Sequence, residues 1–247
     1  MKTALVTGAS RGIGRATALL LAAEGYQVAV NYHQREAAAA DVVSLIHQQG
    51  GQAFSVQADI ADENQVMAMF HALDSRGATL SALVNNAGIL FQQTSVEQLS
   101  AERINRVFAV NVTGTFLCCR EAVKRMSLQH GGQGGAIVNV SSAAARSGAP
   151  HEYVDYAASK GAMDTLTKGL SLEVAAQGIR VNGVRPGFIH TDMHADGGEA
   201  GRVNRLASTI PLQRGGEPEE IARAIIWLLS EAASYITGSV IDAAGGR

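Results

Sequence analysis

Short apolar runs alternate with longer amphipathic runs along the whole chain. The short runs predict seven strands, at residues 4–7, 27–32, 53–57, 82–85, 136–141, 180–184 and 239–242. The longer runs predict helices at residues 12–24, 35–48, 63–74, 101–126, 154–176 and 218–230. Ile137-Val138-Asn139-Val140 is largely apolar on both sides of its strand, as expected when helices cover both faces of a sheet. The pattern predicts an α/β fold with a doubly wound, parallel, seven-stranded sheet in a single domain over residues 1–247.

A glycine-rich turn follows the first predicted strand. It runs Thr7-Gly8-Ala9-Ser10-Arg11-Gly12-Ile13-Gly14 and leads directly into the first helix. Bare backbone there can approach a pyrophosphate, and the helix N-terminus supplies N–H groups and positive partial charge. The spacing departs from G-x-G-x-x-G, and a tight surface turn is the alternative explanation. The turn therefore predicts a nucleotide ligand, and residues elsewhere in the chain decide between this interpretation and a surface turn.

The segment at residues 187–216 interrupts the alternation. It contains Gly197-Gly198, Gly201 and Gly215-Gly216 around a short helical pattern at residues 199–208. Because ligands of parallel sheets bind beyond the carboxyl ends of strands, this segment is a candidate substrate lid. A disordered loop is the alternative.

Composition and charge limit the classes of partner that the chain is expected to bind. The chain has 247 residues and a net charge of -2, with no basic stripe for nucleic acid or for a membrane surface. The only cysteines, Cys118 and Cys119, are neighbours in a helical stretch, which argues against a structural disulfide. The first strand begins near Lys2, and no apolar run approaches the roughly 20 residues that span a bilayer. We expect a cytoplasmic protein with a small-molecule partner.

Tyr156 and Lys160 lie four residues apart near the start of a predicted helix, so they share one face. A positive charge beside a phenol favours the phenolate and should lower the tyrosine pKa from its ordinary value of about 10, toward the range of proton exchange with an alcohol. Such pairs also occur on solvated helix faces. The pair acquires meaning from the motifs that accompany it.

Six motifs occur in the order and approximate spacing of the short-chain dehydrogenase/reductase family. They are Thr7-Gly8-x-x-x-Gly12-x-Gly14, Asn85-Asn86-Ala87-Gly88, Asn111, Ser142, Tyr156-x-x-x-Lys160 and Pro186-Gly187. The resemblance extends to Tyr235-Ile236-Thr237-Gly238 and covers essentially the whole chain. The chain resembles the short, single-domain branch, which includes 3-oxoacyl-acyl-carrier-protein reductases and glucose dehydrogenases. The resemblance implies a Rossmann domain, a nicotinamide cofactor and a homotetramer.

The resemblance also implies a catalytic set. Tyr156 would be the general acid/base in the interconversion of a ketone and a secondary alcohol by hydride transfer. Lys160 would hold the nicotinamide ribose, and Ser142 would bond the reacting oxygen. Asn111 would kink its helix and hold a water that links Lys160 to solvent. Ser141 adjoins Ser142 on the opposite strand face, and the family pattern favours Ser142.

Tyr153 competes with Tyr156 for the acid/base role, but Ala157 rather than a lysine stands four residues later. Tyr153 is therefore expected to line the substrate pocket or to pack beside it. The separation of Ser142 from Tyr156 also suggests a small insertion within residues 146–155.

The cofactor is expected to be NADP, with NAD as the alternative. NAD-binding folds place an acid after the second strand, whereas this chain has Asn31-Tyr32-His33, and Arg11 and Arg35 can approach. Arg11 could instead be an ordinary solvated charge, and Asp59, implied to contact the adenine, could instead cap the next helix. The predicted cofactor contacts are Gly8, Ser10, Arg11, Gly12, Ile13, Gly14, Tyr32, His33, Asp59, Ile60, Asn85, Ala87, Gly88, Tyr156, Lys160, Pro186, Gly187, Ile189 and Thr191.

Three other functions can be compared with this one. His190, Asp192 and His194 could suggest a metal site, but no cysteine is near and hydride transfer of this kind requires no metal, so none is predicted. Epimerase or dehydratase chemistry can share the Tyr-x-x-x-Lys pair, although those relatives carry a substrate domain. A non-catalytic NADP-binding sensor or scaffold would not need Ser142, Tyr156 and Lys160 together.

Overall fold

A computed structural model describes residues 1–247 and contains one sheet of seven parallel strands. The strands are β1 (Lys2–Val6), β2 (Gln27–Tyr32), β3 (Gln52–Gln57), β4 (Thr79–Asn85), β5 (Gly135–Val140), β6 (Ile179–Pro186) and β7 (Val240–Ala243). Their order across the sheet is β3-β2-β1-β4-β5-β6-β7, and every neighbouring pair is parallel. The predicted α/β, doubly wound sheet is confirmed.

Helices connect the strands and lie on both faces of the sheet. They are α1 (Gly12–Ala23), α2 (Glu36–Gln48), α3 (Glu63–Asp74), α4 (Ala101–Phe108), α5 (Gly114–Met126), α6 (Ala144–Ser147), α7 (Val154–Val174), α8 (Met193–Asp196), α9 (Arg202–Leu206) and α10 (Pro218–Leu229). The helix predicted at residues 101–126 is divided by a π-helical turn at Ala109–Thr113, which contains Asn111. None of the helices is long and apolar enough to cross a membrane.

Alternate strand residues build two separate apolar layers, because successive side chains point to opposite faces. On one face Val28, Val30 and Val84 pack in the layer that contains α1 and α10. On the other face Leu5 and Leu83 pack in the layer that contains α3 and α5. All five of these side chains are fully buried. The sheet is therefore interior scaffold, and its strand ends are left to carry chemistry.

The strand order reverses between β1 and β4, and the connections after these two strands diverge there. Such a switch point leaves a crevice beyond the carboxyl ends of the two strands. The glycine turn follows β1, and Asn86-Ala87-Gly88 follows β4. The topology therefore brings these two motifs together at one edge.

The segment at residues 187–216 is folded over the same edge. It contains α8, α9 and a 3-10 turn at Ala207–Thr209, where the sequence predicted one helical pattern. A bridge between Ile189 and Gly216 closes its base. Short helices and turns thus make up the segment, and its role as a substrate lid stays a prediction.

Candidate active site

The glycine turn has a backbone that side chains would block. Gly8 and Gly12 have φ values of +61° and +53°, in the left-handed region that glycine adopts without strain. A Cβ on Gly8 would lie 3.0 Å from Ala87 Cα. A Cβ on Gly14 would overlap the Asn86 amide, which donates to the Thr7 and Gly8 carbonyl oxygens. The bare turn is thus held against the end of β4.

Helix α1 begins without a side chain to satisfy its first N–H groups. Arg11 occupies the N-cap position with no side-chain cap, and the first turn has no acid. Helix α3 differs, because Asp62 accepts from Asn64 N and Gln65 N. The N-terminus of α1 therefore keeps free donors and positive partial charge toward an anion.

Basic side chains collect where β2 ends. Tyr32 and His33 lie at this strand end, and no acid follows directly. The guanidinium of Arg11 lies 3.5 Å from Asp192, and that of Arg35 lies 3.6 Å from the same carboxylate. Arg11 Nη1 is buried and has no hydrogen-bond partner. This corner holds two cations whose carboxylate partners come from the segment at residues 187–216.

Asp59 lies at the end of β3 but does not cap α3. Its Oδ1 accepts from Ala61 N, and its Oδ2 pairs with Arg106 at 3.0 Å. Burial raises the pKa of Asp59, but the Ala61 N–H and the Arg106 guanidinium outweigh it and leave the pKa below its ordinary value. The N-cap alternative for Asp59 is wrong, because Asp62 takes that position.

Tyr156 and Ser142 lie together at the end of β5. Tyr156 is 8% exposed near the start of α7. Ser142 Oγ accepts from Ala144 N, and the nearby Ser142 hydroxyl favours the ionised form of Tyr156. Ser141 points away, since its Oγ donates to Lys160 O inside the fold. Of the two serines, Ser142 thus lies beside Tyr156, and its catalytic role stays a prediction.

The electrostatics of the Tyr156–Lys160 pair differ from the sequence prediction. Burial raises the pKa of Tyr156 to about 12, and hydrogen bonding with Ser142 offsets only part of that rise. Burial lowers the pKa of Lys160 to about 8, although Asp164 favours the charged form. Lys160 Nζ donates to Val140 O at 2.7 Å and lies 5.6 Å from the Tyr156 ring centroid. The expected lowering of the Tyr156 pKa is therefore wrong in this structure, because burial dominates and only Ser142, not Lys160, opposes it.

Asn111 joins three elements behind the site. Its Oδ1 accepts from Ile89 N, and its Nδ2 donates to Ile89 O and to Ser159 Oγ. The π-helical turn carries this side chain inward, and Asn111 is fully buried. A Cβ on Gly88 would lie 3.4 Å from both Asn111 Oδ1 and Lys160 Nζ, so the two groups approach one point. The predicted kink at Asn111 takes the form of this π-helical turn.

Two adjoining cavities receive most of the predicted residues. The larger, of about 650 Å³, is lined by Ile13, Ser142, Tyr156, Lys160, Pro186, Gly187, Ile189 and Thr191 among others. The smaller, of about 250 Å³, is lined by Gly8, Ser10, Arg11, Gly12, Ile13, Tyr32, His33, Asp59, Ile60, Ala87, Gly88 and Thr191 among others. Ile13, Asn86, Thr191 and Met193 line both. The two cavities are therefore neighbouring parts of one cleft.

Three predicted residues do not line either cavity. Gly14 supports the turn from below, and Asn111 lies behind Gly88. Asn85 is 1% exposed, and its Nδ2 donates to Asn139 Oδ1 at 2.8 Å. Their contribution is to the framework that holds the cleft.

Sequence reasoning omitted two asparagines that shape the cleft. Asn86 lines both cavities and fixes the glycine turn. Asn31 Oδ1 accepts from Gly8 N at 3.2 Å, so β2 also holds the turn. Asn86 lies in the Asn85-Asn86-Ala87-Gly88 motif, and Asn31 lies at the end of the second strand, where no acid follows. The sequence therefore drew attention to both positions. It did not show their side-chain partners.

Tyr153 lines the larger cavity but is separate from the Tyr156–Lys160 pair. Its hydroxyl donates to Gly197 O at 3.1 Å, which ties the start of α7 to the segment at residues 187–216. His194 Nε2 bonds to Ile189 O, and His190 lies 3.9 Å from Glu217. No group of three potential metal ligands forms in the chain.

Comparisons with known proteins identify relatives along almost the whole chain. A family profile described as Enoyl-(Acyl carrier protein) reductase matches residues 8–247. An uncharacterized oxidoreductase of Escherichia coli K12, YgfF, is 72% identical over 247 residues and 100% of both chains. The 3-oxoacyl-[acyl-carrier-protein] reductase FabG of Staphylococcus aureus is 41% identical over 245 residues, which cover 99% of this chain and 97% of that protein. The crystal structure of a dehydrogenase/reductase from Sinorhizobium meliloti 1021 is 34% identical with a TM-score of 0.91, covering 99% of this chain and 94% of the other.

Proposed function

The chain belongs to the short-chain dehydrogenase/reductase family of NAD(P)-linked oxidoreductases, and from that premise we propose that it interconverts a ketone and a secondary alcohol with NADP. The observation that carries the proposal is the adjacency of the two cavities. Tyr156 and Ser142 line the larger one, and the bare glycine turn lines the smaller one. A dinucleotide that lies across both would bring its reactive end beside the phenol.

The residues present fit such a cofactor. Gly8 and Gly12 leave backbone open where a Cβ would intrude, and the N-terminus of α1 offers unpaired donors to a pyrophosphate. Arg11 Nη1 is a buried donor without a partner at the adenosine end. Lys160 Nζ, close to Gly88, would hold the nicotinamide ribose. When bound, the nicotinamide supplies or accepts the hydride.

The chain's own residues handle the proton and the oxygen. With a pKa of about 12, Tyr156 is protonated at neutral pH, so its hydroxyl can give a proton to the carbonyl oxygen of a ketone. Ser142 donates to the same oxygen and stabilises the negative charge that develops there. Tyr156 is only 8% exposed, which limits the access of water to its hydroxyl. The alcohol then leaves, and the phenol regains its proton from solvent.

A preference for NADP over NAD follows from charge. No acid stands after β2 to bind the ribose hydroxyls, and Arg11 and Arg35 face the place where a 2'-phosphate would lie. We expect the ratio kcat/KM to be higher with NADPH than with NADH by at least about tenfold, which corresponds to one good charged contact. Equal efficiency with the two cofactors would contradict the preference.

The test of the function is a scan of ketones, β-ketoacyl thioesters and sugars with NADPH, followed by absorbance. Tyr156→Phe should lower kcat by about 10²- to 10⁴-fold, the usual range for a general acid, while binding of NADPH stays within a few-fold. Tyr153→Phe is the matched control, because it removes the neighbouring hydroxyl from the same cavity. If the wild-type protein binds NADPH but does not oxidise it in the presence of any of these substrates, the protein is a sensor or scaffold instead.

We also propose that the enzyme is a homotetramer, as the family resemblance implies. Phe116 on α5 and Leu172 on α7 support the proposal, since their side chains are 50% and 70% exposed on the outer side of the molecule. Light scattering after size-exclusion chromatography measures the mass directly. A monomer mass of 25.8 kDa at micromolar concentration would contradict the tetramer.

A further inference from the structure

The segment at residues 187–216 places two carboxylates on the cations at the adenosine end of the cleft. Arg11 Nη2 donates to Asp196 Oδ2 at 2.5 Å, and Arg11 Nη1 lies 3.5 Å from Asp192 Oδ2. Arg35 Nη1 lies 3.6 Å from the same Asp192 oxygen. Arg11 lies in the glycine turn and Arg35 lies just before α2. Two distant parts of the chain therefore contact Asp192, which precedes α8, and Asp196, which ends it.

These contacts leave one donor of Arg11 without a hydrogen-bond partner. Arg11 Nη1 is buried and makes no hydrogen bond, although a carboxylate is within ion-pair distance. Asp192 is 62% exposed at its side chain and shares one oxygen between two guanidinium groups. Arginine binds planar and tetrahedral oxyanions best through paired, parallel N–H donors. A dianionic phosphate at this corner would offer both arginines further acceptor oxygens, including one for the buried Arg11 Nη1.

The same segment reaches the substrate cavity. Thr191 and Met193, on either side of Asp192, line both cavities, and His194 lines the larger one. At its other end, α8 is followed by Gly197, whose carbonyl oxygen accepts from Tyr153 Oη. Asp192 and Asp196 therefore lie within one helical turn of residues that line the substrate cavity.

We propose that Asp192 and Asp196 occupy Arg11 and Arg35 in place of an adenosine 2'-phosphate, and that the phosphate displaces them and releases α8 from this corner. The inference rests on the proposed nicotinamide-dependent function. It assigns to Asp192 and Asp196 a selective role: they weaken binding at this corner, and only a ligand with a phosphate to offer both arginines displaces them. Lid position and cofactor identity are thereby linked through one pair of arginines.

Hydrogen exchange with two adenosine fragments tests the displacement. The fragments are 2',5'-ADP and 5'-AMP, which differ only in the 2'-phosphate and lack the nicotinamide that would contact the lid. The reporting amides are those of Asp196, Gly197, Gly198 and Glu199, which bond within and just after α8. At saturation, 2',5'-ADP should speed their exchange by about fivefold or more relative to 5'-AMP, the opening expected from loss of the ion pairs.

The variants Asp192→Asn and Asp196→Asn test the competition by calorimetry. Each should tighten binding of 2',5'-ADP by about twofold to fivefold, the range that exposed ion pairs give, and should leave 5'-AMP within about twofold. In the double variant, the α8 amides should exchange fast without ligand, and the two fragments should no longer differ. Asp41→Asn removes an exposed carboxylate from α2 that pairs with no cation and is the matched control. Asp196→Asn alone carries the test if the double variant does not fold.

The outcomes separate this inference from the proposed function. If both fragments bind but leave α8 exchange equal, or if 2',5'-ADP slows it, the displacement is refuted and the function stands. Unchanged affinity for 2',5'-ADP in the variants refutes the competition. If neither fragment binds, the nucleotide-dependent function itself fails.

Discussion

Lys160 is held in a place that opposes its charge, and this predicts that removing it stabilises the protein. The side chain is 2% exposed, and its one strong contact is the bond to Val140 O, with Met163 Sδ 3.3 Å away. Burial lowers its pKa from the ordinary 10.5 to about 8, even though Asp164 favours the ammonium. We expect Lys160→Met to abolish turnover and to raise the free energy of unfolding at pH 7.

The magnitude follows from linkage between protonation and folding. The difference between a pKa of 10.5 and one of about 8 corresponds to about 3 kcal/mol of unfavourable free energy at pH 7. The lost hydrogen bond to Val140 O costs about 1 kcal/mol, so a net gain of about 2 kcal/mol remains. Between about pH 8 and 10.5 the unfolded chain binds the proton that the folded chain has released, so wild-type stability rises with pH. The advantage of Lys160→Met should therefore shrink by about 1 kcal/mol between pH 7 and pH 9.

Urea unfolding at the two pH values, at one fixed protein concentration, measures the effect. Lys168→Met replaces an exposed lysine of the same helix and should change stability by less than about 0.5 kcal/mol at either pH. The reasoning is refuted if Lys160→Met is less stable than wild type at pH 7. It is also refuted if the two proteins change in parallel with pH, because Lys160 would then not release a proton in this window.

Three further predictions concern the cleft and its support. Ser142→Ala should lower kcat by about 10²-fold, whereas Ser141→Ala should keep kcat within about tenfold and cost about 1 kcal/mol of stability. Kinetics and urea unfolding distinguish the two variants. Equal losses of kcat would contradict the choice of Ser142. Gly14→Ala should lower the free energy of unfolding by at least about 2 kcal/mol, because its Cβ would lie 2.5 Å from a backbone carbonyl oxygen. Gly201→Ala, whose Cβ would meet open space, should change it by less than about 0.5 kcal/mol. Thermal unfolding compares the two variants, and equal melting temperatures would refute the prediction. Burial raises the pKa of Glu121, but hydrogen bonds from three neighbouring cations prevail and hold it at about 2. Stability from Glu121 is thus present above pH 4.5 and lost toward pH 2, so Glu121→Gln should cost about 3 kcal/mol at pH 7 and almost nothing at pH 2, and a pH-independent loss would contradict it.

The sheet could be predicted from sequence because its signals are local. Each strand is a short apolar run bounded by turn residues, and the glycine turn and Tyr156-x-x-x-Lys160 are fixed in spacing. The apolar pattern predicted one helix at residues 101–126, because residues 109–113 contain no proline or glycine, and only the family resemblance implied a kink at Asn111. The π-helical turn there depends on Asn111 bonding to Ile89 and Ser159, partners that are 22 and 48 residues away.

The electrostatics of the cleft could not be predicted in the same way. Spacing showed that Lys160 stands one turn from Tyr156, but the sign of the pKa change depends on how much water reaches each group. Likewise, Arg11 was expected to face a phosphate, and nothing local indicated that Asp196, 185 residues later, would bond to it. Properties that depend on burial or on long-range pairs became visible only in three dimensions.

The high pKa of Tyr156 and the low pKa of Lys160 have one main cause, the burial of both side chains. A phenol with a pKa of about 12 is almost wholly protonated at pH 7, which is the form that gives a proton to a ketone oxygen. The oxidation of an alcohol needs the phenolate, which the same burial makes costly. Burial therefore favours the protonated phenol in the site without cofactor, and the same burial costs stability at Lys160, whose ammonium loses its water.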